Sequence, residues 1–188
     1  MIGEYKACRG HYGILSFSLG IRIWGNDMSE KAAAAMEIYK ELIGKEEGVG
    51  NWLEVDQERI NMFADATLDH QFIHIDPEKS AELSPYKVTI AHGFLTLSLI
   101  VHLGASVPPL RPEVLDGVFM GVNYGLDKVR FPAPVPVNSK VRARHKISDV
   151  ELKGGNTIQL KREVTVELEG GSKPVCVAES LIRYIYAD

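Results

Sequence analysis

Cysteine is scarce in this sequence: Cys8 and Cys176 are the two among 188 residues. They stand far apart and without metal-ligand spacing, which excludes a zinc-knuckle or disulfide-stapled scaffold. Such sparse use fits a reducing, cytoplasmic setting. Long apolar runs are missing too. No stretch reaches the roughly 18 uninterrupted apolar residues of a membrane span, so a soluble protein with no membrane association is expected. The apolar segment from Gly13 to Trp24 follows basic residues but has no small-residue cleavage site after it, which argues against a secretory leader. A surplus of charge is also absent. The formal net charge is -4 and the basic residues are scattered, so the footprint of a nucleic-acid binder is lacking. No glycine-rich phosphate loop or ligand cluster appears, and no metal, nucleotide or flavin cofactor is expected.

What is present has the size and composition of one globular domain, with 45% hydrophobic and 24% charged residues. Met28-Ser29-Glu30 opens a capped helix. The domain is therefore expected to span 28–188, with residues 1–27 a non-native or disordered extension upstream of it. From Ser29 to about Lys45, Ala33, Met36, Ile38, Tyr39, Leu42 and Ile43 recur near helical spacing. Trp52 to Val55 reads as a short strand, and Asp56 caps a helix to about Ala66. A polar loop is expected over 67–75. Asp76-Pro77 then opens a short helix to about Leu83.

The most apolar segment, Phe94 to Val107, lies between Gly93 and Pro108 and predicts a helix apolar nearly all round, buried in a core. The C-terminal third alternates instead. Ile158, Leu160, Val164, Val166 and Leu168 face one way, and only Arg162 breaks that face. Similar signals around 118–123, 127–131, 139–149 and 174–186 predict five antiparallel strands, and Cys176 falls on a buried one. An α+β fold follows, in which a strongly curved sheet wraps the single long helix available to cover it.

The densest titratable cluster is Asp65 to Asp76, followed by His92-Gly93. Asp69 and His74, five apart in a loop, can bring a carboxylate and an imidazole to one water. Gly93 opens the apolar helix, so its backbone N–H is free to stabilise charge on a carbonyl oxygen. These are the groups needed to add water across a double bond conjugated to a thioester. By residue type alone, however, an Asp and His in a polar loop more often cap or decorate a surface. Asp76 reads as a helix cap, His70 and Asp65 as solvated groups, and His102 as a core or interface histidine. No two of His70, His74 and His92 have the helical i, i+4 geometry of common zinc sites, since 67–75 reads as a loop.

Two stretches carry a more specific signal: Asp69-His70-Gln71-Phe72-Ile73-His74-Ile75-Asp76-Pro77 and Ile90-Ala91-His92-Gly93-Phe94-Leu95. In residue type and spacing they resemble the hydratase motif of the MaoC-like dehydratase family. Asn123 to Pro132 is similar to the strand after the central helix in its nodulation-protein-N-like subgroup. The resemblance covers roughly residues 45–185. It implies a hot-dog fold, a homodimer, and reversible syn hydration of trans-2-enoyl-CoA to (R)-3-hydroxyacyl-CoA, with no cofactor beyond the acyl-CoA or acyl-carrier-protein thioester itself. On that reading Asp69 and His74 activate the water, Gly93 donates its N–H to the thioester carbonyl, and His92 shapes the turn. Asn123, Tyr124 and Arg130 are candidates for lining the site or gripping the CoA end, and an ordinary sheet-face role fits each equally well. Some members support the catalytic loop with a serine where this chain has Val101. Two rival readings are a hot-dog acyl-CoA thioesterase and a non-catalytic acyl-CoA-binding subunit. The first would place a carboxylate on the central helix, which has none between Phe94 and Val107. The second has no chemical need for an intact Asp69 and His74.

Overall fold

Alternation along the C-terminal third becomes a sheet with one buried face. The computed structural model describes residues 29–187, so the expectations for residues 1–27 and for Cys8 lie outside the described residues. Its strands are β1 (Glu46–Val49), β2 (Leu53–Val55), β3 (Val118–Arg130), β4 (Ser139–Lys153), β5 (Thr157–Leu168) and β6 (Cys176–Tyr186). They run antiparallel in the order β1-β4-β5-β6-β3, with β2 also paired to β4. On β5 the inward residues are Ile158, Leu160, Val164 and Val166, as the alternation requires. On β4 they are Val141, Ala143 and Ile147 and then Val150, because a register shift between Ile147 and Asp149 moves the buried set by one residue. The strands expected at 118–123 and 127–131 are one strand of 13 residues. Its register slips between Leu126 and Val129, which interrupts the alternation that reading by period relies on.

Among the described residues six α-helices accompany the sheet. Ser29 caps α1 (Glu30–Leu42) by accepting the Ala32 N–H, and Asp56 caps α2 (Gln57–Thr67) by accepting that of Arg59. A short α3 (Phe72–Ile75) precedes α4 (Pro77–Leu83), which Asp76 caps. The apolar segment forms α5 (Gly93–Ser98) and α6 (Ile100–Ala105). Leu99 between them keeps helical dihedrals, and the N–H groups of Leu99 and Leu103 bond back to Leu95 and Leu99. The two therefore continue as one rod.

Leu95, Leu99 and Leu103, four residues apart on that rod, pack onto Val141, Ala143, Val164, Val166 and Ala178. This is the hot-dog arrangement. The rod does not cover the sheet alone, contrary to expectation. β4 has 15 residues and at 3.4 Å each spans roughly 50 Å, more than twice the roughly 20 Å of the rod. The remainder is covered by α1, whose Ala32, Ala35, Tyr39 and Leu42 pack with Ile147, Val150, Ile158, Leu160 and Tyr186. Nor is the rod buried all round: Phe94 is 70% and Val101 57% exposed. His102 is exposed as well, not a core histidine.

Leu103 is 1% exposed. Truncating it to alanine removes buried methyl groups and leaves a cavity, so Leu103→Ala is expected to lower the unfolding free energy by about 3 kcal/mol in urea titrations.

Candidate active site

The site forms at the head of the rod. Where α2 ends, Leu68 takes a left-handed backbone conformation with φ 61, disfavoured for a leucine, and turns the chain toward Asp69. The segment expected to be loop over 67–75 is partly helical, and α3 carries His74 into a buried position. The His74 Nδ1–H donates to the Ile90 carbonyl at 2.7 Å. That bond sets the tautomer and leaves the Nε2 lone pair free.

His92, the residue before the rod, donates its Nε2–H to the backbone carbonyl of Asp69 at 2.9 Å. Its ring stacks on that of His74, centroids 3.7 Å apart, and Phe63 tilts against its other side at 5.1 Å. One polar side-chain atom from each of Asp69, His74 and His92 lies within 4.8 Å of the other two. The expected pair thus converges, with His92 as a third member that ties the loop to the rod. His92 Nδ1 is buried with no hydrogen-bond partner among the described residues, whereas Asp69 is exposed. Burial lowers the pKa of His74 and the neighbouring His92 lowers it further, against the Ile90 carbonyl and Asp69, which raise it. His74 is accordingly neutral near pH 7.

Gly93 opens the rod, and its N–H has no intrahelical acceptor by position. A Cβ there would lie 2.9 Å from the Phe131 ring, so glycine is what lets Phe131 close over the helix head. Position 101 is valine, and the loop is held by contacts from elsewhere. Gln57 donates its side-chain N–H to the His74 carbonyl at 2.7 Å and accepts the Thr89 hydroxyl at 2.5 Å. Sequence reasoning passed over both, since a glutamine in the first turn of a capped helix looks like a solvated residue. His70 pairs with Asp65 at 2.9 Å on the surface, as expected of solvated groups. The three converging groups, Asp69, His74 and His92, could also hold a metal ion. That set differs from the three histidines weighed on sequence spacing, since Asp69 takes the place of His70.

A cavity of about 600 Å³ runs beside the rod from Leu97 to Val107, facing β3, β4, β5 and β6. Asn123 and Tyr124 line it. The Arg183 guanidinium lies over the Tyr124 ring at 3.3 Å. Arg130 lies outside this wall. It ends β3, beside the Phe131 that covers Gly93, and its guanidinium donates to the carbonyl of Val129. Glu47, His145, Arg162 and Tyr184 also line the cavity. Of these, sequence reading noticed only that Arg162 interrupts an apolar face.

A curved sheet around a helix is the hot-dog fold, and the chain's similarities place it among the hydratase/dehydratase enzymes of that fold. Residues 39–169 match the family model of the MaoC-like domain. The chain is 49% identical over 142 residues to 3-hydroxyacyl-thioester dehydratase Z of Mycobacterium tuberculosis, covering 76% of this chain and 90% of that protein. It is 47% identical over 137 residues to nodulation protein N of Rhizobium leguminosarum bv. viciae, covering 72% and 82%. Among solved structures, the unliganded R-hydratase of Pseudomonas aeruginosa superposes with a TM-score of 0.58 at 23% identity, covering 79% of this chain and 86% of that one. The chain belongs to the MaoC-like dehydratase family.

Burial lowers the pKa of both His74 and His145. The unfolded chain then binds protons near the ordinary histidine value of about 6.5, while the folded chain binds them only at lower pH. Their contribution to stability is present above pH 6.5 and lost as pH falls through the folded values. Thermal unfolding followed by circular dichroism should show a midpoint nearly level from pH 8 to 7 that drops from pH 6.5 toward 5, with a shallower drop in His74→Asn.

Proposed function

We propose that this chain is an (R)-specific enoyl-CoA hydratase, adding water reversibly and syn to trans-2-enoyl thioesters to give (R)-3-hydroxyacyl thioesters. The observation that carries this reading is the convergence of Asp69 and His74 at the head of a helix whose first N–H is free. A water held between the Asp69 carboxylate and His74 Nε2 gives one proton to these acceptors as its oxygen bonds to the β-carbon. The electrons of the double bond move toward the thioester oxygen, which the Gly93 N–H stabilises. The proton then returns to the α-carbon on the same face, so atoms and charge balance. Both 3-hydroxyacyl-thioester dehydratase Z and the R-hydratase bear names of this class. A thioesterase reading lacks a carboxylate on the rod. Conjugation to the thioester already activates the β-carbon, and the chemistry proposed needs no metal. Cytoplasmic placement accords with the buried, unpaired Cys176, and among the described residues no helix is long and apolar enough to cross a membrane.

The active form on this reading is a homodimer joined through β3. Among the described residues that strand is one open edge of the sheet, exposed over nearly its whole length, including Phe119, Met120, Val122, Tyr124 and Leu126. A long apolar edge left open invites pairing with another chain. Antiparallel pairing with the same strand of a second copy closes it, and Phe94 and Val101 on the rod supply further apolar surface on that side.

Purified protein should hydrate crotonyl-CoA and longer trans-2-enoyl-CoA, read as loss of conjugated-enoyl absorbance, to the (R) product, and dialysis against EDTA should leave the rate unchanged. Asp69→Asn and His74→Ala should each lower kcat at least 100-fold while folding normally; retention of activity in either removes that residue from the mechanism. Sedimentation equilibrium should give a dimer, and Val122→Lys should shift it toward monomer.

A further inference from the structure

The far end of the cavity holds buried charged groups, whereas the rest of its wall is mostly apolar. Arg162 projects from the inner face of β5 between Leu160 and Val164, both fully or nearly fully buried. Its guanidinium meets the Glu47 carboxylate of β1 through two bonds, Nε to Oε2 at 2.5 Å and Nη2 to Oε1 at 2.9 Å, and donates from Nη1 to the Tyr184 hydroxyl at 3.2 Å. The Glu47 side chain is only 6% and that of Arg162 13% exposed. Beside them on β4, His145 is 8% exposed, and its Nε2 is buried with no hydrogen-bond partner among the described residues.

Gly104 explains how the imidazole fits. A Cβ at that position would lie 3.0 Å from His145 Cε1 and 3.1 Å from Nε2, so the rod gives up a side chain where the ring sits. Glycine weakens a helix interior, and here it leaves room for a polar group in an otherwise apolar wall. An unpaired imidazole nitrogen in such a place is costly unless a ligand meets it.

We propose that this end of the cavity recognises a neutral oxygen function, a hydroxyl or keto group, on the distal part of the acyl chain of the thioester substrate. The inference rests on the hydratase reading for the identity of the ligand. The rod fixes the direction of the chain: the thioester carbonyl lies at Gly93, and the cavity begins at Leu97, four residues and roughly 6 Å further along the same helix. A distal carboxylate is the wrong ligand, because Glu47 already neutralises the Arg162 fork and a second carboxylate would face it at close range. A plain alkyl end is wrong as well, since it leaves His145 Nε2 and the remaining guanidinium donors unmet. A hydroxyl or carbonyl oxygen accepts from Arg162, and a hydroxyl also donates to the imidazole.

Calorimetric titration with saturated acyl-CoA thioesters tests this without turnover. Three series of 8, 10 and 12 carbons are compared: plain, hydroxylated at the terminal carbon, and carrying a terminal carboxylate. The hydroxylated chain should bind at least 10-fold tighter than both others at one length; plain chains binding as tightly at every length, or no binding of any, overturns the proposal. The double variant Glu47→Leu, Arg162→Met removes both charges together and should reverse the preference toward plain chains. Tyr184→Phe and His145→Leu, which leave the ion pair whole, should each reduce it several-fold and serve if the double variant does not fold. A preference unchanged in all of these variants also overturns the proposal. Crotonyl-CoA hydration by the wild type is scored separately, so a failure there counts against the hydratase reading, while the binding series decides the polar end.

Discussion

Everything at the head of the rod depends on how the rod is held to the sheet. Leu95, Leu99 and Leu103 form one buried stripe against Val141, Ala143, Val164 and Val166. Their burial, at about 1.5–3 kcal/mol per fully buried apolar side chain, fixes the rotation of the helix about its axis. Once that rotation is set, Gly93 must present its N–H at the helix end and His92 must stand just before it. The geometry of the site is therefore inherited from the packing of a leucine stripe that runs along the three turns after Gly93.

His92 converts that packing into control of a loop. Its imidazole donates to the backbone of Asp69 while its ring stacks on His74, so both expected groups are referenced to the residue that opens the rod. The loop carries a left-handed Leu68 immediately before Asp69. A leucine in that region is held there by the bonds that follow it, here the His92 donation to Asp69 and the Gln57 donation to His74. The carboxylate itself stays exposed and open to water, while the imidazole beside it is buried and neutral. Two groups with opposite environments, fixed a few ångströms apart, can hold and return a proton.

How much of this was legible in sequence depended on whether the deciding partner was near in the chain. Ser29, Asp56 and Asp76 cap their helices because a cap is a local bond, three residues long. The inward set of β5 was readable because nothing interrupts its alternation apart from Arg162. The pairing of Asp69 with His74 was legible through a motif with fixed spacing, and so was the place of Gly93. What escaped was non-local. β1, Glu46 to Val49, carries no apolar alternation and exists because β4 offers it a ladder. The hold of Gln57 and Thr89 on His74 spans 17 and 32 residues. The share of α1 in covering the sheet follows from the length of β4, which becomes apparent only once the bulge at 147–149 joins its two inward sets into one strand.

That division of the cover between two helices also explains where the polar end of the cavity lies. On β5, Val164 and Val166 belong to the cluster under the rod, and Ile158 and Leu160 to the cluster under α1. Arg162 stands between them, opposite Ile147, the last residue of β4 before the bulge. The cavity opens at this seam, where Arg162 lines it. An apolar residue at 162 would be the economical choice for stability, because a buried ion pair recovers its desolvation cost only with excellent geometry and is often matched by apolar residues of the same volume. The pair here has that geometry, but an unpaired imidazole nitrogen lies beside it, and good geometry elsewhere does nothing to offset that loss. Stability alone therefore gives no reason for the whole cluster. A cluster that gives up fold stability while lining a cavity is better explained by what enters the cavity than by what holds the chain together.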